Sequence, residues 1–261
     1  MEINMSAVLG PIVLLSLSVF LINSRLAILP RYFRATFTLV LILYLLPPRA
    51  IDTMSSPSAS TLALAEAFKN RRSTHTLSDD ITLPDARIQE IIHDAVKHSP
   101  SPFNYQGSRV VLLLKAEHHK FWDIAREVAQ AKIPAQVFKE RYEARINMFR
   151  AAYGTVLFFA SGSKLKDLQT QYPLLVDHLP QWEEHMSGML QYAVWNMLTS
   201  EGLGCNLQHY NPMVNTRVAE EWKLPADWSL KAQMVFGKPV GELREKTFEP
   251  VEGTRFFVHG V

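Results

Sequence analysis

The chain has one cysteine, Cys205, among 261 residues, so intrachain disulfides and thiol-rich metal sites are excluded. Glycine is scarce, at 11 residues, and none stands in a Walker phosphate loop. His-Glu-x-x-His and Gly-x-Ser-x-Gly are also absent, which removes zincin and serine-hydrolase chemistry. His118 and His119 are adjacent and cannot both reach one metal from a helix, and no metal ligand set is expected. Formal charge is only +2, with basic residues dispersed among acidic ones, so there is no electrostatic footprint for nucleic acid. Gly202-Leu-Gly204 begins like a dinucleotide fingerprint, but Leu207 stands where a third glycine is needed. The run also follows a helical pattern instead of opening one after a strand, which argues against a Rossmann site. No internal repeat or low-complexity tract is present.

What the chain does have is apolar residues, 48% of the total, enough for a sizeable core. They fall into two regions. Ala7 to Ile22 and Ala35 to Leu46 are almost wholly apolar, separated by Arg25, Arg31 and Arg34. The first run is near the lower limit of about 17 residues for a spanning helix, and the second falls below it. Pro47-Pro48 ends the pattern, and Met54 to Ser60 reads as a polar linker. We therefore divide the chain into an apolar N-terminal segment (1–53), a linker (54–60) and one domain (61–261). Residues 1–53 have three open readings: a membrane anchor, a targeting peptide, or an upstream extension of the reading frame. Membrane association is expected if the segment is expressed, and a cytoplasmic location otherwise.

Within the domain, periodicity predicts helices over Thr61–Asn70, Asp85–Lys97, Glu117–Ala131, Ala135–Arg150 and Trp182–Glu201. Pro84 suits a first helical position. Arg109–Leu114, Tyr153–Ala160 and Leu230–Phe236 read as strands, with Arg255–Val258 a fourth. The unbroken apolar run of Val110–Leu114 suggests a central place in the sheet. Gly162 to Pro173 reads as a polar stretch. The 182–201 helix is apolar over more than one face, which suits either an internal core helix or one shared between subunits. A mixed α+β layered domain follows.

Three polar clusters carry the functional reading. Arg71-Arg72-Ser73 offers two guanidinium forks and a hydroxyl, a set that binds phosphate oxygens well; a plain cationic helix C-terminus is the competing explanation. Ser101, Asn104 and Gln106 lie in a loop stiffened by Pro100 and Pro102, where amides offer both donors and acceptors or simply make a turn. Arg244 and Lys246, with Lys238 weaker, form a basic cluster near the C-terminus. Cys205 reads as a small buried residue.

At these positions the chain resembles the nitroreductase family of flavin enzymes, in its short fungal and bacterial branch. The resemblance spans roughly 62–258 and rests on Arg71-Arg72-Ser73, on Ser-x-x-Asn-x-Gln at 101–106, and on Leu203-Gly-Cys-Asn-Leu-Gln-His-Tyr210. It implies a three-layer α+β fold with a central mixed or antiparallel sheet flanked by helices. It further implies a bound FMN, NAD(P)H as co-substrate, and a homodimer paired through the 182–201 helix. Arg71, Arg72, Ser73, Arg244 and Lys246 would then grip the flavin phosphate. Ser101, Asn104 and Gln106 would contact the cofactor, and the backbone of Gly204, Asn206 and Leu207 would face the ring. The implied activity is ping-pong hydride transfer to nitroaromatic or quinone-like acceptors, with a link to oxidative stress; His209 and Tyr210 are the weak candidates for proton delivery. The alternative is a flavin-binding regulatory protein of lipid or stress signalling with little turnover.

Overall fold

A computed structural model describes residues 59–243 and 245–260. The apolar runs at 7–22 and 35–46, the bulk of the linker, and Arg244 lie outside the described residues. Among the described residues no helix is long and apolar enough to cross a membrane.

The described part has eight helices and five strands. Helix α1 (Ala59–Asn70) leads to a short strand β1 (Leu77–Ser78) and helix α2 (Asp85–His98). Pro84 is the residue before that helix, in extended conformation, rather than its first turn. Strand β2 (Ser108–Leu114) runs into α3 (Lys115–Lys132). The stretch expected as one helix over 135–150 is two, α4 (Ala135–Arg141) and α5 (Glu143–Arg150). The break is at Tyr142, whose φ of −112° leaves the helical range. Strand β3 (Gly154–Ser161) is followed by α6 (Gly162–Gln171), a helix where only a polar stretch was expected. Its N-terminus is organised by Ser161, whose hydroxyl accepts from the Lys164 amide, and by Asp227, which accepts from the Ser163 amide at 3.0 Å. The second partner comes from a distant loop, so local pattern could not reveal it.

Helix α7 (Leu179–Ser200) is the longest, with Met186, Leu190, Val194 and Leu198 buried along one stripe. Gly202, at φ +84°, ends the turn that follows it. Next comes β4 (Gly204–Gln208), a strand that the sequence pattern did not reveal; α8 (Asn215–Glu221) and β5 (Trp228–Pro239) complete the order. Arg255–Val258 forms no strand; only an isolated bridge joins Glu252 and Phe256.

All pairings are antiparallel, in the order β1-β5-β3-β2, with β4 on the same edge of β5 as β1. The sheet is thus antiparallel rather than mixed. Among the described residues β2 is an edge strand, not a central one, since it pairs there with β3 alone. Its unbroken apolarity has another cause: alternate residues enter two cores. Val111 and Leu113 pack with Phe121, Trp122 and Ala125 of α3, while Val110, Leu112 and Leu114 pack with Ile88, Ile91 and Ile92 of α2 and with α7. Helices cover both faces, giving three layers, and β3 is buried at all eight positions. At about 25 cal/mol per Å² of apolar surface, these two cores supply most of the driving force for folding.

Candidate functional site

Ser73 follows α1 and forms an isolated parallel bridge with Cys205 of β4. The neighbouring Thr74 amide donates to the Cys205 carbonyl at 2.9 Å, and the Asn206 side-chain amide donates to the Thr74 carbonyl at 2.8 Å. Gly204 is required by this close approach, because a Cβ there would lie 2.7 Å from the Leu77 side chain and 2.9 Å from Thr74. The bonds pin the exposed Ser73 to the rim of a cleft of about 380 Å³. Thr74–Thr76, Met148, Phe149, Gln208 and residues 240–243 line the rest of it, together with Arg145 of α5. A second cleft of about 210 Å³ shares Arg145 and Gln208 and adds Tyr142, His209 and Tyr210.

The remaining expected residues divide. Arg72 folds back, its guanidinium donating to the carbonyls of Lys69 and, at 3.1 Å, Arg71. Arg71 lies over the Trp195 ring at 4.5 Å. Neither lines the cleft, and Arg72 serves the helix C-terminus in the way the competing explanation required. Lys246 is exposed and sits 5.0 Å from the Phe248 ring, whereas Lys238 pairs with Asp80 at 2.6 Å. Asn206 is fully buried and uses both ends of its amide internally, donating to Thr74 and accepting from Gln208 at 2.7 Å. Leu207 is partly buried in the α2–α7 core. Cys205 is fully buried, and burial pushes its thiol pKa far up, which removes it as a nucleophile.

The 99–107 loop does not line this cleft. Phe103, Asn104 and Gln106 have φ of 50°, 54° and 54°, the left-handed region that costs side-chain-bearing residues about 1 kcal/mol or more each. Surrounding contacts hold them there. Phe103 stacks on Tyr172 at 4.1 Å, Ser101 accepts from the Gln106 amide at 3.0 Å, and Arg109 donates to the Gln106 carbonyl at 2.9 Å. Tyr105 donates to buried Glu183 of α7 at 3.2 Å, and Glu183 pairs with Lys231 at 3.0 Å. The side chains of Asn104 and Gln106 are exposed and make no hydrogen bond among the described residues.

His209 is exposed in the second cleft, while Tyr210 is buried, with its pKa pushed up to about 12 by burial first and by Tyr142 next, against the opposing charge of Arg145. Its amide donates to Gln233 at 2.7 Å. Arg145 and Gln208 were missed as site residues. Gln208 lay inside the quoted motif, but Arg145 sits in an ordinary charged helix and no local signal marks it. Among the described residues no His/Cys/Asp/Glu group is arranged to hold a metal ion.

Fold and cleft together define a three-layer α+β domain with a polar cleft at the sheet edge. The model of the nitroreductase family matches residues 68–238, and the chain belongs to that family, a class of oxidoreductases. Nitroreductase FRM2 of Saccharomyces cerevisiae is 32% identical over 197 residues, covering 74% of this chain and 95% of the yeast protein. Nitroreductase CinD from Lactococcus lactis, in complex with chloramphenicol, superposes with a TM-score of 0.69 at 36% identity, over 76% of this chain and all of that one. The same enzyme in complex with 4-nitrophenol gives a TM-score of 0.66 at 38% identity and covers the same shares.

Proposed function

We propose that the chain is an FMN-dependent oxidoreductase that takes electrons from NAD(P)H and passes them to nitroaromatic or quinone-like acceptors. The observation that carries this reading is the placement of Ser73, pinned by β4 at the rim of a polar cleft that residues 240–243 also line. The donor set suits the group. Ser73 offers a hydroxyl and Arg145 a guanidinium, Gln208 an amide, and Met148 and Phe149 an apolar wall for a planar ring. Bound FMN would supply the hydride chemistry, which no side chain here offers. Ser73, with Arg244 and Lys246 of the C-terminal segment, would hold its phosphate.

Asn104 and Gln106 do not line that cleft within one protomer, so the reading assigns them to the site of a second copy. Exposed apolar residues support such pairing: Leu62, Leu64 and Phe68 of α1, with Met189 and Tyr192 of α7, where Phe68 already packs on Tyr192 at 5.4 Å. The exposed imidazole of His209 would deliver a proton at the second cleft, while Tyr210 stays neutral and bonded to the sheet. The likeness to CinD, which is in complex with 4-nitrophenol, supports a nitroaromatic acceptor.

The test is an absorbance spectrum of the purified chain, followed by NAD(P)H oxidation with a quinone or nitroaromatic acceptor. Bound flavin with steady turnover is expected. Flavin without turnover would favour the regulatory alternative, and failure to take up added FMN would overturn the reading. Gel filtration tests the dimer, and fractionation of the full chain beside one starting at Met54 tests attachment through residues 7–46.

A further inference from the structure

Helix α7 buries one acidic side chain, Glu183, among residues that are otherwise apolar or neutral. A buried carboxylate is costly unless it is paired and hydrogen-bonded. The two oxygens of Glu183 go to different elements. Oε2 pairs with Lys231 of β5 at 3.0 Å, and Oε1 accepts from the Tyr105 hydroxyl at 3.2 Å. Lys231 is mostly buried too and is held a second time by Glu184 at 2.6 Å. Burial works to lower the Lys231 pKa, but the hydrogen bonds to Glu184 and Glu183 outweigh it and keep the ammonium charged. Burial, and then the Glu183 charge, push the Tyr105 phenol well above its ordinary range, so it keeps the proton it donates.

Tyr105 stands between Asn104 and Gln106, both at φ 54°. Its ring lies over Gly107, where a Cβ would come within 2.3 Å of it, so any larger residue would displace the ring. The Gly107 carbonyl accepts from the Ser161 amide at 2.9 Å, which fastens that end of the loop to β3. An exposed turn has no need of a buried ion pair behind it. Two neighbours in the left-handed region persist only where the surroundings hold them, and the Lys231–Glu183–Tyr105 chain of bonds ties them to the sheet through α7. We propose that the buried Glu183–Lys231 pair is a positioning device, which acts through Tyr105 to hold the 101–106 loop with Asn104 and Gln106 already set for a flavin. A loop ordered beforehand spares the ligand the cost of ordering it. That the two amides meet a flavin rests on the oxidoreductase reading above; the clamp on the loop does not.

The test replaces the pair as a unit in the full chain, because Glu183→Leu alone would strand a buried ammonium. Glu183→Leu with Lys231→Met keeps the volume and removes both charges, an exchange that buried ion pairs commonly tolerate. Amide hydrogen exchange over 101–107, FMN affinity by fluorescence titration and the melting temperature are then compared with the parent. The melting temperature should stay within a few degrees, while exchange in the segment quickens and FMN binding weakens, each about five-fold. Adding Tyr105→Phe to the paired variant should cost nothing further, since both act on one bond. If the paired variant melts far below the parent, Tyr105→Phe alone, which leaves the ion pair intact, should give the same two readings. Exchange that stays at the parent rate overturns the clamp. Faster exchange with unchanged FMN affinity overturns the positioning role, and a full additional loss from Tyr105→Phe overturns the route through that residue. Faster exchange in a chain that takes up no FMN upholds the clamp while ending the oxidoreductase reading.

Discussion

The polar groups buried against the sheet and those on the 99–107 loop have similar chemistry and opposite fates. Inside, polar groups partner one another in connected runs, although Trp195 Nε1, Asn196 Oδ1, Thr199 Oγ1 and Asn215 Oδ1 are buried without a hydrogen bond among the described residues. Trp122 donates to the Thr155 hydroxyl at 3.0 Å, Thr155 donates to Nδ1 of His118 at 2.8 Å, and Nε2 of His118 donates to the Arg150 carbonyl at 3.2 Å. Asn206 is likewise consumed by Thr74 and Gln208. On the loop, the backbone and Tyr105 are held by neighbours, yet Asn104 and Gln106 leave their amides exposed. Buried polar groups must find partners because burial without one costs about 1–3 kcal/mol. The loop instead sets backbone strain against fixed presentation of two side chains, a pattern associated with binding sites. The lesson is that an amide's chemistry predicts little until its surroundings are known.

The comparison breaks if both kinds of site respond alike to mutation. The largest effect is expected for Asn206→Leu, which strands the Thr74 carbonyl and the Gln208 amide. About 3 kcal/mol of stability should be lost in denaturant unfolding, and a change below 1 kcal/mol would show that water replaces the bonds. The buried His118 should give a pH signature of similar size. Burial pushes its pKa down to about 4 from an ordinary 6.5. The unfolded chain therefore takes up a proton that the folded chain refuses, and stability is complete above pH 6.5 and falls as pH drops toward 4. The integrated loss is roughly 3 kcal/mol, and the slope in that window should flatten in a His118→Gln variant.

Asn104→Ala sharpens the contrast from the other side. Flavin retention should weaken about ten-fold, equivalent to about 1.4 kcal/mol, while the melting temperature moves by only a few degrees. Equal flavin binding in parent and variant would remove Asn104 from the site. The smallest effect is expected for Tyr105→Phe, which loses one bond to Glu183 and about 1 kcal/mol. Its flavin affinity should follow, because the same bond holds the strained loop in place; affinity unchanged in spite of lower stability would separate the two roles.

Much of the architecture was legible along the chain. Helices α2, α3 and α7 appeared within a few residues of their limits, because each carries an apolar stripe that repeats every three to four positions. Strands β3 and β5 appeared as apolar runs, β3 displaced by one residue and β5 with residues missed at both ends. Other elements escaped for identifiable reasons. β4 is a short strand carrying Asn206 and Gln208, whose polarity is compensated by a bond between the two and by Thr74, far away in sequence. Helix α6 depends on a cap from Asp227, 65 residues after Gly162 in the numbering of the chain. β2 looked central because both its faces are covered, although one edge carries no partner strand among the described residues.

The order of residues alone determined the family, the apolar periodicities, the Arg71-Arg72-Ser73 and Ser101–Gln106 motifs, and the exclusion of intrachain disulfides. These are properties of near neighbours, and near neighbours are what a sequence displays. Tertiary structure decided that Arg72 closes its own helix, that Asn206 is spent inside while Asn104 is not, and that Arg145 overlooks the clefts unpaired. Those outcomes depend on which segments approach one another in space and how much water they exclude, and that is settled only when the sheet and its two helical layers close.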